Sequence, residues 1–311
     1  MTAAPSSPVR LGLVGLGKIS ADEHVPAIRR DPGFALVGGV SPHSRMAEVR
    51  RFESLDALLE AGVDAVSINT PPQVRFSLAA QALRAGKHVL LEKPPGATVQ
   101  EVEALRRLAM ESGVTLFAAW HSQFAAGVAP AAEWLADRRI TSVDVVWRED
   151  VRRWHPGQDW IWRPGGLGVF DPGVNALSIL SRILPHPLVV TAARLSIPGN
   201  RQTPIAASLT GAAGDMTRWT ADFDFLQTGV QTWTIEAATD LGRLTLEQGG
   251  AVLTIDGLNQ NLAPVREYEA VYRRFAELIA TRMSDVDLSP LALTADAFLI
   301  GEQSKAADFV E

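Results

Sequence analysis

Val9-Arg10-Leu11-Gly12-Leu13-Val14-Gly15-Leu16-Gly17-Lys18-Ile19-Ser20 is an apolar run that stops in glycines. Val9 to Val14 has the composition of a buried strand, and the glycines mark a turn. Glu23 to Arg30 follows with helical character, provided Pro26 falls in the first turn, where a missing N–H is tolerated. Strand, glycine turn and helix in this order open a dinucleotide-binding βαβ unit. Gly15 permits the tight turn and Gly17 lets the backbone approach a pyrophosphate at the helix N-terminus, beside Lys18 and Ile19. Ser20 stands where a third glycine is usual.

The rhythm continues outward from this stretch. Apolar runs at Ala35 to Val40, Asp64 to Asn69, Val89 to Leu91 and Val114 to Ala119 alternate with helical spacing at Leu55 to Glu60, Phe76 to Ala85 and Val99 to Glu111. Such alternation predicts a doubly wound parallel sheet covered on both faces. It ends near residue 123. Beyond it, Val128 to Asp137 is helical, Ser142 to Val151 alternates like a strand, and Arg153 to Gly168 is a loop rich in tryptophan and glycine. Phe170 to Leu184 is helical, Leu188 to Ile255 holds only strand-like runs, and helices are expected near Tyr268 to Thr281 and Leu291 to Ala306. The expectation is an α/β chain: a Rossmann domain over 1–123, then an α+β domain over 124–311 built on a large, mainly antiparallel sheet.

Composition narrows the function classes. The 311 residues are enough for two cores; 47% are apolar and 21% charged, which excludes a disordered chain. The formal net charge is -6 and no basic stripe stands out, so nucleic acid is not an expected partner. Cysteine is absent, which removes disulfides and thiolate chemistry. No signal peptide or membrane-spanning run is visible, and a cytoplasmic location is expected.

The end of the second strand reads Val40-Ser41-Pro42-His43-Ser44-Arg45. An acid here would bind the adenosine 2′-hydroxyl of NAD and repel a 2′-phosphate. Instead Ser41 and Ser44 can donate to a phosphate, and His43 or Arg45 can add positive charge. NADP is therefore the expected cofactor, with NAD also accommodated.

Ligands on open α/β sheets bind at the carboxyl ends of the strands. Three segments share that rim: Asn69-Thr70-Pro71-Pro72, Leu91-Glu92-Lys93-Pro94-Pro95 and Trp120-His121. Lysine is scarce, at 18, 87, 93 and 305 only, so Lys93 between an acid and two prolines invites a chemical role. Further on, Gly165-Gly166-Leu167-Gly168-Val169-Phe170-Asp171-Pro172-Gly173-Val174-Asn175 puts Asp171 and Asn175 four apart, on one helix face. Asp171 equally fits a helix N-cap, with Pro172 at the first helical position.

Together the glycine turn, Thr70-Pro71, Glu92-Lys93-Pro94 and the run ending Asp171-x-Gly173-x-Asn175 resemble the glucose–fructose oxidoreductase, inositol dehydrogenase and rhizopine-catabolism (Gfo/Idh/MocA) family over nearly the whole chain. Most members carry histidine where this sequence has Asn175. The tract Trp147-Arg148-Glu149-Asp150-Val151-Arg152-Arg153-Trp154-His155-Pro156-Gly157-Gln158, with Trp160-Ile161-Trp162, narrows the likeness to the bacterial L-arabinose/D-galactose 1-dehydrogenases, in which asparagine is the usual residue.

The resemblance implies oxidation of an aldopyranose at its anomeric carbon to the 1,4- or 1,5-lactone. It implies Lys93, Asp171 and Asn175 as the catalytic group, with either Lys93 or Asp171 taking the proton. It implies His121, Glu149, Trp154, His155 and Trp233 as sugar contacts, and Glu92, Thr70, Pro71, Trp162 and Arg163 on the cofactor side. No metal is expected. A homo-oligomer through the C-terminal sheet is implied by analogy. An inositol or other polyol dehydrogenase, and a non-catalytic sugar- and NADP-sensing regulator, are the competing readings.

Overall fold

A computed structural model of the chain describes residues 7–42, 46–214 and 217–311. It divides into two compact units. The first runs to His121 and takes in Arg266–Asp287; the second holds Ser122–Val265 and Leu288–Glu311.

The first unit is a six-stranded parallel sheet of β1 (Val9–Val14), β2 (Phe34–Val40), β3 (Arg51–Phe52), β4 (Ala65–Ile68), β5 (His88–Glu92) and β6 (Leu116–Ala119), in the order β3-β2-β1-β4-β5-β6. Reversal of strand order beside β1 places the ends of β1 and β4 at the topological switch point, where such folds bind ligands. Helices Leu55–Glu60, Pro72–Arg84 and Val99–Glu111 bury Leu58, Ala79, Leu83 and Leu105 against Val66, Ile68 and Val89. The helix at 99–111 starts at a capping box: the Thr98 hydroxyl accepts from Glu101 N, and the Glu101 carboxylate accepts from Thr98 N.

A division into two consecutive stretches, 1–123 and 124–311, misplaces one element. Helix Glu267–Thr281 belongs to the first unit. Its buried positions Tyr268, Val271, Tyr272, Phe275 and Leu278 recur at helical spacing. Phe275 stacks on Phe34 and Phe117, each at 6.2 Å between ring centroids. Burial of such a face contributes roughly 1.5–3 kcal/mol per large side chain, more than enough to return a distant segment to the first core.

The helix expected over Glu23 to Arg30 is two pieces, a π-helical turn at Ser20–His24 and an α-helix at Val25–Arg30 with Pro26 in its first turn. The wider turn begins three residues after Gly17 and leaves Ser20 and His24 buried.

The second unit holds β7 (Ile140–Arg148), β8 (Leu188–Pro198), β9 (Ala206–Ala213), β10 (Thr217–Asp224), β11 (Thr232–Thr239), β12 (Gly242–Glu247), β13 (Val252–Ile255), β14 (Leu258–Asn259) and β15 (Glu302–Ala306). They form one nine-stranded sheet, β14-β13-β12-β11-β7-β10-β9-β8-β15. It is mainly antiparallel, with parallel pairs at β7–β10 and β8–β15. The expected helix Leu291 to Ala306 is corrected: the helix is Ser289–Ile300, and Gly301 ends it so that 302–306 can pair with β8 as an edge strand. Helices Val128–Leu135, Phe170–Ile183 and Ser289–Ile300 cover one sheet face, with Phe170 set edge-on to Phe223 at 5.5 Å. No helix among the described residues is long and apolar enough to cross a membrane.

Candidate active site

The candidate residues fall into two groups, one in each unit. In the first unit the glycine turn leaves β1 at the switch point. Gly15 has φ +96°, and a Cβ there would lie 2.9 Å from the backbone of Asn69 and Thr70, so only glycine fits. Gly17 is different. A Cβ at Gly17 would meet no protein atom within 4 Å, so neither packing nor strain requires glycine there. The missing side chain leaves the backbone open to approach, as a pyrophosphate needs. Thr70 Oγ1 is buried with no hydrogen-bond partner among the described residues, another polar group on this rim left for a ligand. These features fit a dinucleotide.

The other cofactor-side candidates are placed as follows. Lys18 is exposed and paired with Asp22, and Ile19 is half-buried in the turn. Ser41 follows β2 and is half-buried. His43, Ser44 and Arg45 lie outside the described residues. Pro71 is the N-cap of helix Pro72–Arg84.

Arg75, one turn into that helix, is buried and donates to the carbonyls of Thr70, Glu92 and Pro94. One guanidinium thereby ties the Thr70-Pro71 loop to the lysine loop. Sequence reading missed it, because an arginine on an amphipathic helix ordinarily faces water.

Lys93 is half-buried at the end of β5. The expectation that Glu92 faces the cofactor is corrected. Its side chain is turned inward and the residue is only 3% exposed. Oε1 accepts from Tyr268 at 2.6 Å and from His24 Nε2 at 3.1 Å, while Oε2 accepts from the Lys93 N–H at 2.7 Å. Burial alone would raise the Glu92 carboxyl. The His24 hydrogen bond and charge, with His121 and Tyr268, overcome it and hold the group at about 2.

A carboxyl held below its unfolded value binds fewer protons in the folded state. It stabilises fully above the ordinary carboxylate range and loses that contribution as pH falls toward about 2. Glu92→Gln is expected to remove roughly 3 kcal/mol at pH 7 and to flatten the decline in stability between about pH 5 and 2. Urea unfolding of both proteins across that range checks it; parallel curves would contradict the assignment.

His121 ends the first unit's rim. Its Nδ1 lies 2.6 Å from Glu267 Oε2 and its ring stacks on Tyr268 at 5.3 Å. Burial opposes its charge, but the Glu267 hydrogen bond and the Glu267 and Glu92 charges raise it above the usual histidine value, against Lys93. His121 is thus an oriented, cation-favouring group rather than a loose surface ring.

In the second unit Val143, Val145, Trp147 and Glu149 follow one another along one face of β7 and its extension. Glu149 is 4% exposed. Its Oε1 lies 3.2 Å from His155 Nε2, and its Oε2 accepts from Trp233 Nε1 at 3.0 Å. Trp233 sits opposite Trp147 in the β11–β7 pairing. Trp154 ends the short helix Val151–Trp154, 36% exposed, with its ring 5.3 Å from that of Trp233. Gln231, not anticipated, holds this corner by accepting from Asp150 N and Trp154 Nε1. A buried carboxylate beside two indole faces is the combination sugars require: an acceptor for hydroxyls and flat apolar surface for C–H groups.

Asp171 is not an N-cap. The helix is Phe170–Ile183, and Val169 is its N-cap, so Asp171 lies in the first turn, 2% exposed. Gly168, at φ +53°, brings the chain so close to Pro204 that a Cβ would sit 2.3 Å from its carbonyl oxygen. This sets the angle of entry. Asp171 Oδ2 is 3.6 Å from His155 Nδ1, so His155 stands between two buried carboxylates. Its Nδ1 makes no hydrogen bond among the described residues. Asn175 is one turn along, half-buried. Trp162 is buried against Phe225 and Phe309, in the core rather than on a binding surface. Arg163 is exposed and within 4.0 Å of Asp159.

Comparison with known proteins gives concordant results. The Gfo/Idh/MocA model, an oxidoreductase family with an NAD-binding Rossmann fold, matches residues 9–120. Galactose 1-dehydrogenase of Pseudomonas fluorescens is 47% identical over 307 residues, 98% of this chain and 99% of that one. The crystal structure of D-galactose-1-dehydrogenase from Rhizobium etli matches with a TM-score of 0.94 at 48% identity, over 99% of this chain and 100% of that one. A 3-ketoreductase from Actinomadura kijaniata, solved with NADP and TDP-benzene, shares the fold at a TM-score of 0.83 and 21% identity, over 96% and 99% of the two chains.

Proposed function

This chain belongs to the Gfo/Idh/MocA oxidoreductase family, and from that premise we propose that it is an NAD(P)-dependent aldose 1-dehydrogenase. It oxidises the anomeric carbon of D-galactopyranose and L-arabinopyranose to the lactone. The observation that carries this reading is buried Glu149, bridged by His155 and Trp233, with Asp171 on the far side of His155. Near-full-length similarity to a galactose 1-dehydrogenase supports it.

The bound nicotinamide supplies the acceptor for the hydride of C1. The chain supplies the rest. Glu149 accepts from sugar hydroxyls, while Trp154 and Trp233 cover the C–H surface. Asn175 can donate to one oxygen and accept from another, but it cannot take a proton. The anomeric hydroxyl is acidic for an alcohol and gives up its proton to Asp171 or Lys93. As ammonium, Lys93 would instead stabilise the developing alkoxide. Ser41, in place of an acid at the end of β2, supports NADP over NAD as the preferred cofactor.

L-Arabinopyranose is D-galactopyranose without its hydroxymethyl group. An apolar wall near that group discriminates by about 1–3 kcal/mol, so both sugars are expected as substrates within roughly 200-fold in kcat/KM. The test is cofactor reduction followed at 340 nm (~) with a panel of aldoses and polyols, each with NAD and NADP. Turnover of the two sugars is expected. Turnover of inositol alone would assign a polyol dehydrogenase, and binding without turnover would assign a sensor.

A further inference from the structure

Strand β7 ends at Arg148, which pairs with Asp224 at the end of β10 on one side and with Thr232 at the start of β11 on the other. The connection 225–231 must therefore cross the end of β7, where the chain continues into Glu149 and the one-turn helix Val151–Trp154. The two segments are joined as they cross. Glu149 N and Val151 N donate to the carbonyls of Asp224 and Phe225 at 2.9 and 3.0 Å. Gln231 is the last residue of the connection and is half-buried, just ahead of Trp233 on β11.

The Gln231 amide is fully used. Its Oε1 accepts from Asp150 N and, at 3.3 Å, from Trp154 Nε1. Its Nε2 donates to the carbonyls of Gly229 at 2.8 Å and Gln227 at 3.2 Å. The two N–H groups can only donate and the two carbonyls can only accept, so the amide has one orientation. Asp150 is the N-cap of helix Val151–Trp154 and Trp154 is its last residue, so one oxygen holds both ends of that turn. The anchor is itself closed: Gln227 Nε2 donates to the Val230 carbonyl at 2.6 Å and to Thr232 Oγ1 at 2.8 Å. Trp154, 36% exposed, meets its other side-chain neighbours through its ring, Trp233 at 5.3 Å and tilted by 60°, and the Arg153 guanidinium at 4.9 Å. Ring contacts tolerate rotation of an indole, whereas a hydrogen bond at Nε1 fixes where its edge points.

We propose that Gln231 is a positioning residue for sugar binding, whose amide locks the exposed Trp154 indole beside Trp233 before the sugar arrives. A side chain ordered in advance does not draw its ordering from the affinity of the ligand, a saving of about 3- to 10-fold for one rotamer-rich group. The whole arrangement lies inside the second unit. It serves the bound sugar and the transition state alike, so it bears on KM and not on kcat. The inference rests on the reading of Glu149, Trp154 and Trp233 as the sugar corner.

Gln231→Met keeps the length of the side chain and removes the amide. With D-galactose at saturating NADP it is expected to raise KM about 3- to 10-fold, with kcat and the dissociation constant of NADP within about twofold. Unchanged KM, with or without the fall in kcat that a merely structural role would give, would overturn the proposal. In a Trp154→Phe background, which has no indole N–H at that position, the same substitution is expected to change KM by less than about twofold. An undiminished effect there would also overturn it. The indole nitrogen-15 NMR signal of Trp154, assigned by its loss in Trp154→Phe, gives a reading without sugar. Its hydrogen is expected to exchange with water more slowly than that of a free indole in the wild type, and faster in Gln231→Met than in the wild type. Exchange at the free rate in the wild type, or a rate untouched by Gln231→Met, overturns the assignment. A panel without any turned-over aldose sinks the substrate reading, while the indole signal still decides whether Gln231 holds Trp154.

Discussion

Replacing Lys93 by alanine is expected to lower kcat by about 10³-fold while the dissociation constant of the nicotinamide cofactor changes by no more than about twofold. The separation follows from how the loop is held. Lys93 is fixed through its backbone N–H by Glu92 Oε2, and the carbonyls on either side of it, those of Glu92 and Pro94, are held by Arg75. None of these bonds uses the lysine side chain. Removing the side chain therefore leaves these backbone bonds in place. Stopped-flow cofactor binding and steady-state kinetics on one preparation measure both quantities. Turnover within a few-fold of wild type would show that Lys93 has no part in the chemistry. A parallel loss of cofactor binding would make it a binding residue instead.

The contrast between Lys93 and its neighbours shows what the sequence discloses. Strand, glycine turn and lysine are local patterns, and the parallel sheet they predict is present strand for strand, apart from the two-residue β3. Glu149 was also within reach. It continues the alternation of Val143, Val145 and Trp147 onto the buried face of β7, so its burial follows from strand period alone. The partners that hold these residues were not local. Tyr268 and Tyr272 meet Glu92 and His24, at separations of 176 and 248 residues, only because a later helix returns to the first core, and no period in the sequence announces that return. The one available signal was scarcity: two tyrosines in the whole chain, spaced i and i+4. Glu92 was misread for the same reason. Beside a reactive lysine it looks like a ligand contact, and only its burial shows that it is the lysine's support.

Asp171→Asn is expected to lower kcat by about 10²–10⁴-fold. Asparagine keeps the shape of the side chain in the first turn of helix Phe170–Ile183, so the entry set by Gly168 is undisturbed. It removes the charge that faces His155 Nδ1 at 3.6 Å. A residue kept only for stability would show a lower melting temperature with modest kinetic change. The double variant Lys93→Ala/Asp171→Asn then tests whether the two act together. They belong to different units, so their coupling is a kinetic proposition. If both serve the same proton transfer, the double variant is expected to lose little more than the worse single variant, as residues that work as a unit do. Losses that multiply would assign them to separate steps, with Asp171 moving the proton and Lys93 stabilising charge. The pH dependence of kcat/KM in each single variant identifies the base, because the acidic limb persists only in the variant that retains it.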